Sequence, residues 1–213
     1  MSAPRPAPPP RSPADDAGTD AAATRERLLD AATEEFAAHG FAGARIDRIA
    51  RRAGRNKQLL YHHFGNKEAL HAAVAIRALA TRPPIGVDSP DDLGRFLQEL
   101  FDDFPTREAW WRLMLWESLE TRGGPVVAEE ERRAASEQTV RDVERVQASG
   151  LLDPALPPRL LLLAVTGMIM LPFLMPQLVR LWCGTTPADP EFRARYRAVV
   201  AELLSRFAAH RNG

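Results

Sequence analysis

Cysteine is nearly absent from this chain. Cys183 stands alone among 213 residues, which excludes an internal disulfide framework and leads us to expect a reducing, cytoplasmic location. Lysine is almost as scarce: Lys57 and Lys67 are the only two, and arginine carries the rest of the positive charge. We read that bias as genomic base composition rather than mechanism. No segment alternates apolar and polar residues as a half-buried strand does, and no internal repeat is present. There is no nucleophile elbow, no phosphate-cradling glycine loop and no zinc-ligand pair, and the carboxylates are scattered as on solvated helix faces. Catalysis has no visible seat, so we expect neither enzyme activity nor a cofactor. The N-terminus lacks the charged-then-apolar pattern of a signal peptide.

A long hydrophobic run is missing too. The most apolar stretch, 160–176, is 17 residues broken by Thr166, Gly167 and Pro172. As a helix it would reach roughly 26 Å, short of the ~30 Å hydrocarbon layer, and we expect no membrane partner. A helix apolar all round is instead expected where one face meets its own domain and the other meets a twin subunit.

Charge is present in equal amounts but unequally placed. The chain holds 28 basic and 28 acidic residues; residues 24–82 hold 11 basic against 6 acidic, and 83–213 hold 15 against 19. A basic segment beside an acidic one suggests a polyanion partner for the first alone, although a fluctuation of a few charges would look the same.

Residues 1–20 are rich in Pro, Ala and Asp without apolar periodicity, and composition predicts a disordered tail. A first helix is expected over 24–39, with Leu28, Leu29, Ala32 and Phe36 inward, Thr24 as cap and Gly40 as a left-handed stop. A second covers 46–53, with Ile46, Ile49 and Ala53 inward and Asp47, Arg48, Arg51 and Arg52 outward. Gly54 suits a tight turn. Asn56 caps a third helix over 57–64, buried through Leu60 and Phe64, and Asn66 caps a fourth over 67–79. Two short helices joined by Ala53-Gly54-Arg55-Asn56, apolar on one side and polar on the other, have the layout of a helix-turn-helix, whose width fits the major groove of DNA.

Pro83 and Pro84 mark a break. Beyond them we expect helices over 90–104, from Thr106 through Trp116, over 126–149, along 160–181, and over 190–210. Phe104, Trp110, Trp111 and Met114 suit either an apolar ligand cavity or a plain core. Glu117 and Arg112 are the nearest charges able to orient a polar ligand. His62 and His63 point about 100° apart on a helix, and adding His39 and His71 gives no zinc spacing, so we expect no metal.

The run from Gly40 to Leu70, with its turn, caps, Tyr61 and the Asn66-Lys67-Glu68 start of the fourth helix, resembles the TetR family of transcriptional regulators. One position departs from the family: Ala44 and Arg45 stand where a capping Ser or Thr is usual. Arg45 replaces the phosphate contact of that hydroxyl but not its cap. The resemblance implies an all-α fold with three parts: the tail 1–20, a three-helix helix-turn-helix DNA-binding domain over 21–82, and a helical ligand-binding and dimerisation domain over 83–213. It implies a homodimer on a pseudo-palindromic double-stranded operator, joined through its last two helices and released by a small-molecule effector. The DNA-binding residues it implies are Arg45, Arg55, Asn56, Lys57, Gln58, Leu59, Tyr61, His62 and Lys67. Of these, Lys57, Gln58 and Leu59 reach base edges, while Tyr61, His62 and Lys67 hold phosphates. Two other readings stay open: a DNA-binding module attached to an enzyme, and a helical interaction protein whose C-terminal domain binds a protein partner. Groove contacts do not distinguish repression from activation.

Overall fold

The structure is a computed structural model that describes residues 13–80 and 85–206. Among them ten helices follow one another and no strand occurs. The chain divides into two compact units, Met1–Val74 and Ala75–Gly213. The division falls inside the fourth helix rather than at the Pro83-Pro84 break, whose residues lie outside those described.

In the first unit α1 spans Pro13–Gly43, α2 Ile46–Arg52, α3 Lys57–Phe64 and α4 Lys67–Ala80. Helix α1 starts well before Thr24, which corrects the expectation of an unstructured tail reaching residue 20; residues 1–12 lie outside those described. Pro13 occupies the first turn, where its missing N–H costs nothing, and an Ala-rich stretch carries the helix onward. Thr24 is therefore interior to the helix and does not cap it. At Gly40 φ is 67°, so the expected stop is a kink after which the chain turns on to Gly43. The core is the expected one apart from α2, where Ile46 is only half-buried. Leu28, Leu29, Ala32, Phe36, Ile49, Leu60 and Leu70 are all fully buried, and Phe36 meets Phe41 and the ring edge of His71. In α2, Ala50 rather than Ala53 joins Ile49 inside.

In the second unit α5 spans Pro90–Asp102, α6 Phe104–Thr121, α7 Glu129–Ala148, α8 Pro158–Leu174, α9 Pro176–Cys183 and α10 Pro190–Arg206. Ser89 caps α5 by accepting from the Asp92 N–H at 3.2 Å. Helix α6 begins at Phe104, because Pro105 fits a first turn and does not act as a stop. Glu129, Glu130 and Glu131 fill the positive first turn of α7. The stretch expected as one segment over 160–181 is two helices, bent by 81° at Met175. Met175 precedes Pro176, and a residue before proline is pushed out of the helical region. No single helix among the described residues is long and apolar enough to cross a membrane; α8 and α9 meet that test by length and composition only when taken together. Two apolar clusters hold the unit. One joins Phe101 to Ile169, Met170, Val200 and Leu204; the other joins Ile85 and Val87 to Val143, Val146, Leu152 and Leu161.

Candidate nucleic-acid interface and ligand cavity

The turn between α2 and α3 is set by backbone chemistry. Gly54 has φ of 64°, in the left-handed region that side chains with a Cβ avoid. Two residues later the Asn56 Oδ1 accepts from the Leu59 N–H at 2.8 Å, and Asn66 caps α4 in the same way through the Ala69 N–H at 2.7 Å. Both caps are legible in the sequence. Helix α2 has no side-chain cap, as the Ala44-Arg45 pair predicts.

Part of that missing cap comes from a residue to which sequence reading assigned no role. Glu35, on α1, is 1% exposed. Its Oε1 accepts from the Arg45 N–H at 2.9 Å and from Arg48 Nε at 2.7 Å, and forms an ion pair with Arg48 Nη2 at 2.6 Å. Oε2 has no hydrogen-bond partner and faces His39 Nε2 at 3.9 Å. Burial pushes the Glu35 pKa up. The hydrogen bonds from Arg48 and the Arg45 N–H, with the charges of Arg48 and His39, outweigh burial and hold it below the ordinary glutamate value. Arg48, expected to face outward, is thus turned onto Glu35, and its Nη2 also donates to the Gly43 carbonyl at 3.0 Å. Glu35 stands seven residues after Leu28 and three after Ala32, on the inward side of α1 by helical period, but spacing does not name its partner.

The other basic residues divide by whether a partner already holds them. Arg55 donates through Nε and Nη2 to the Thr24 hydroxyl at 3.3 and 3.2 Å and through Nη1 to the Gly54 carbonyl at 3.2 Å, tying the turn to α1. Lys57 is paired with Asp47. Lys67 rests its ammonium 4.7 Å above the Phe41 ring. By contrast, the side chains of Arg45, Gln58 and Tyr61 are exposed and make no polar contact among the described residues. His62 is exposed beside the His63 ring, and Leu59 is half-buried. The outer side of α3 therefore offers an uncommitted amide, a phenol and an imidazole, with two lysines and an arginine around it. Amides and cations of this kind are the groups that read base edges and hold phosphates.

The second unit holds a partly open cavity of about 350 Å³, inside the size range of small-molecule sites. Its walls come from α5, α6, α7, α8, the end of α4 and one residue of α10. Trp110, Trp111 and Met114 line it; the side chain of Phe104 lies outside the described residues. Arg112 and Glu117 do not take the orienting role considered for them. Arg112 pairs at 3.8 Å with Glu108 where both are half-exposed. Glu117 is buried, with Oε2 receiving Arg132 Nη1 at 2.6 Å and Oε1 receiving the Val127 N–H at 2.8 Å. The polar lining is instead Arg107, Arg132, Ser136 and Thr166. Sequence reading passed over Arg132 because it lies in the run Glu129-Glu130-Glu131-Arg132-Arg133, which looks like a solvated face. Only packing separates the largely covered Arg132 from its exposed neighbour Arg133.

Two family models match the chain. One, described as bacterial regulatory proteins of the tetR family, matches residues 28–74; the other, described as a tetracyclin repressor-like C-terminal domain, matches residues 92–206. The HTH-type transcriptional repressor SCO4008 of Streptomyces coelicolor is 36% identical over 171 residues, covering 79% of this chain and 88% of that protein. The crystal structure of a transcriptional regulator from the same organism, SCO4942, superposes with a TM-score of 0.69 at 33% identity, over 84% of this chain and 97% of that one. NalD, the secondary repressor of the MexAB-OprM multidrug efflux pump in Pseudomonas aeruginosa, shares the fold at 22% identity, with a TM-score of 0.57 over 90% of this chain and all of its own. With a capped helix-turn-helix in one unit and a helical, cavity-bearing second unit, each matched by its own family model, the chain belongs to the TetR family of bacterial transcriptional regulators.

Proposed function

We propose that this protein is a homodimeric repressor. It grips a pseudo-palindromic operator with α3 of each copy and releases it when a small molecule fills the cavity of the second unit. The observation that carries the DNA half is the outer side of α3, where an Asn56-capped helix leaves Gln58 and Tyr61 exposed and unpartnered. In this reading Gln58 and Lys57 meet base edges, Leu59 packs against a thymine methyl, and Arg45, Tyr61, His62 and Lys67 hold phosphates. Arg55 and Asn56 act by holding the turn and the helix start. Lys57 exchanges Asp47 for the duplex on binding. The effector favours one arrangement of the dimer and the operator another, so each weakens the other by the same factor.

The dimer reading rests on an apolar stripe. On α8, Leu160, Leu163, Gly167 and Leu171 are exposed at helical spacing, while Leu161, Ile169 and Met170 on the other side are buried in the same chain. On α10, Val199 and Leu203 are exposed while Val200 and Leu204 are buried. Phe207, the next apolar residue in the sequence, lies outside the described residues. Exposed leucines in such a row are what a second copy would cover, and Gly167 has open space where a partner helix can approach closely. Leu163→Glu, at a side chain 70% exposed in the single chain, is expected to leave the monomer folded and to shift sedimentation to the monomer. Operator affinity then falls by about 10²-fold or more, because two linked half-site contacts become one.

A binding selection on random duplexes tests the proposal directly and must return a two-fold symmetric site with half-sites about one helical turn apart. On that site Lys67→Gln is expected to weaken matched and scrambled duplexes alike and to reduce the salt slope by about one. Gln58→Ala is expected to relax preference at one base pair of each half-site. A uniform loss in Gln58→Ala would overturn the division of roles.

A further inference from the structure

Among the described residues, the charged groups lining the cavity are both cations, Arg107 and Arg132. Glu117, the buried carboxylate paired with Arg132, has both oxygens occupied, one by Arg132 and one by the Val127 N–H. Among the described lining residues nothing acidic is therefore left to receive a cationic ligand. Arg107 already bonds Asp103 at 2.7 Å through Nε, one turn back on its own helix.

Arg132 is different. Its Nη1 is fully used, by Glu117 and by the Val127 carbonyl at 3.2 Å. The opposite edge of the guanidinium, formed by Nε and Nη2, has only one contact: Nη2 on the Met114 sulfur at 2.8 Å. A thioether is a weak acceptor, and Nε has no acceptor at all among the described residues. That edge carries two parallel N–H groups at the spacing of a carboxylate's two oxygens. The guanidinium also lies 5.6 Å from the centre of the Trp110 ring. Its side chain is only 13% exposed, and Met114 and Trp110, which flank it, are themselves cavity walls. A desolvated, charged fork with no oxygen partner, set in an apolar wall, is a strong recognition element for an oxyanion.

Resting on the reading of this cavity as the effector site, we propose that its ligand is an apolar monoanion, a carboxylate on a hydrocarbon body, whose head group is received by the Nε–Nη2 edge of Arg132. Displacement of the Met114 sulfur makes room for the two oxygens. Glu117 stays on Nη1, so the ligand adds a partner to Arg132 without competing for the existing one. Ser136, one turn along α7, and Thr166, on α8, supply the only side-chain hydroxyls among the described lining residues. The remaining wall is aliphatic and aromatic and suits the body of such a ligand.

The test compares three probes that share one ten-carbon chain and differ only in the head: decanoate, 1-decanol and decylammonium. Each is titrated below its micellar range into the full-length protein. Binding is followed by the fluorescence of the tryptophans, two of which line the cavity, and by calorimetry. Decanoate is expected to bind about tenfold or more tighter than 1-decanol, the usual gain from a charge-assisted fork, with decylammonium weakest. Arg132→Lys, which keeps the charge but loses the fork, should bring decanoate to within a few-fold of 1-decanol. Should that variant fail to fold, Glu117→Gln with Arg132→Met removes both charges of the buried pair together and must collapse the preference equally. Decylammonium binding as tightly as decanoate, or a decanoate preference surviving in the variants, would overturn the assignment. If 1-decanol binds but the charged heads make no difference, only the anion assignment fails. If none of the three binds, the cavity reading fails with it.

Discussion

Glu35→Ala is expected to destabilise the N-terminal unit by about 2–4 kcal/mol and to abolish operator binding with it. The carboxylate is almost fully buried, receives hydrogen bonds from Arg48 Nε and the Arg45 N–H, and is ion-paired with Arg48 Nη2. Removing it strands the Arg45 N–H at the uncapped start of α2 and leaves Arg48 with only the Gly43 carbonyl. Arg48 is 35% exposed, so water recovers part of the loss, which sets the effect below that of a fully buried charge. Hydrogen exchange of the α2 and α3 amides measures it, and a loss under about 1 kcal/mol would show that Glu35 is dispensable. The same residue makes a pH prediction. Its pKa is lower in the folded chain than in the unfolded one, so its stabilisation is complete above the ordinary glutamate value and is lost as pH falls through the depressed folded value. Wild-type protein should lose stability across that acid window, and Glu35→Gln should lack that part of the slope.

Phe101→Ala is expected to cost about 3–5 kcal/mol in the C-terminal unit. Phe101 is 1% exposed on α5. Its ring lies 6.1 Å from Phe173 of α8 and 5.9 Å from Tyr196 of α10. Tyr196 itself donates its hydroxyl to the Met168 carbonyl at 2.7 Å. One side chain therefore packs against both helices that carry the exposed apolar stripe. Truncating it removes the transfer energy of the ring and leaves a void that three helices cannot close together. All four tryptophans lie in the C-terminal unit, so denaturation followed by their fluorescence reports on that unit alone. A loss below about 2 kcal/mol would mean that this core repacks freely. Because α8 and α10 are held in place by this cluster, the variant should also dimerise more weakly.

The caps and turns were legible because they are local. Asn56, Asn66 and Gly54 each act on backbone within three residues, and the chemistry that places them there depends on nothing distant. The inward sides of α1 and α3 were legible for a similar reason: Leu28, Ala32, Phe36, Leu60 and Phe64 repeat at the helical period. Misjudged ends have local causes too. Pro13 and Pro105 start helices, and the bend at Met175 follows from the proline after it, but neighbouring polar residues masked the first case and continuous apolar character masked the last.

What the residues determined alone is the class of the molecule: an all-helical chain whose short capped pair fits a DNA groove, followed by a longer helical unit. Tertiary structure decided which charges are spent and which are free. Glu35, Arg48, Glu117 and Arg132 look like ordinary charged residues in the sequence, yet folding buries both carboxylates and pairs each with an arginine of the next helix. Periodicity reports the side of a helix on which a residue sits. It is blind to the partner brought against that side, and a buried charge is defined by that partner.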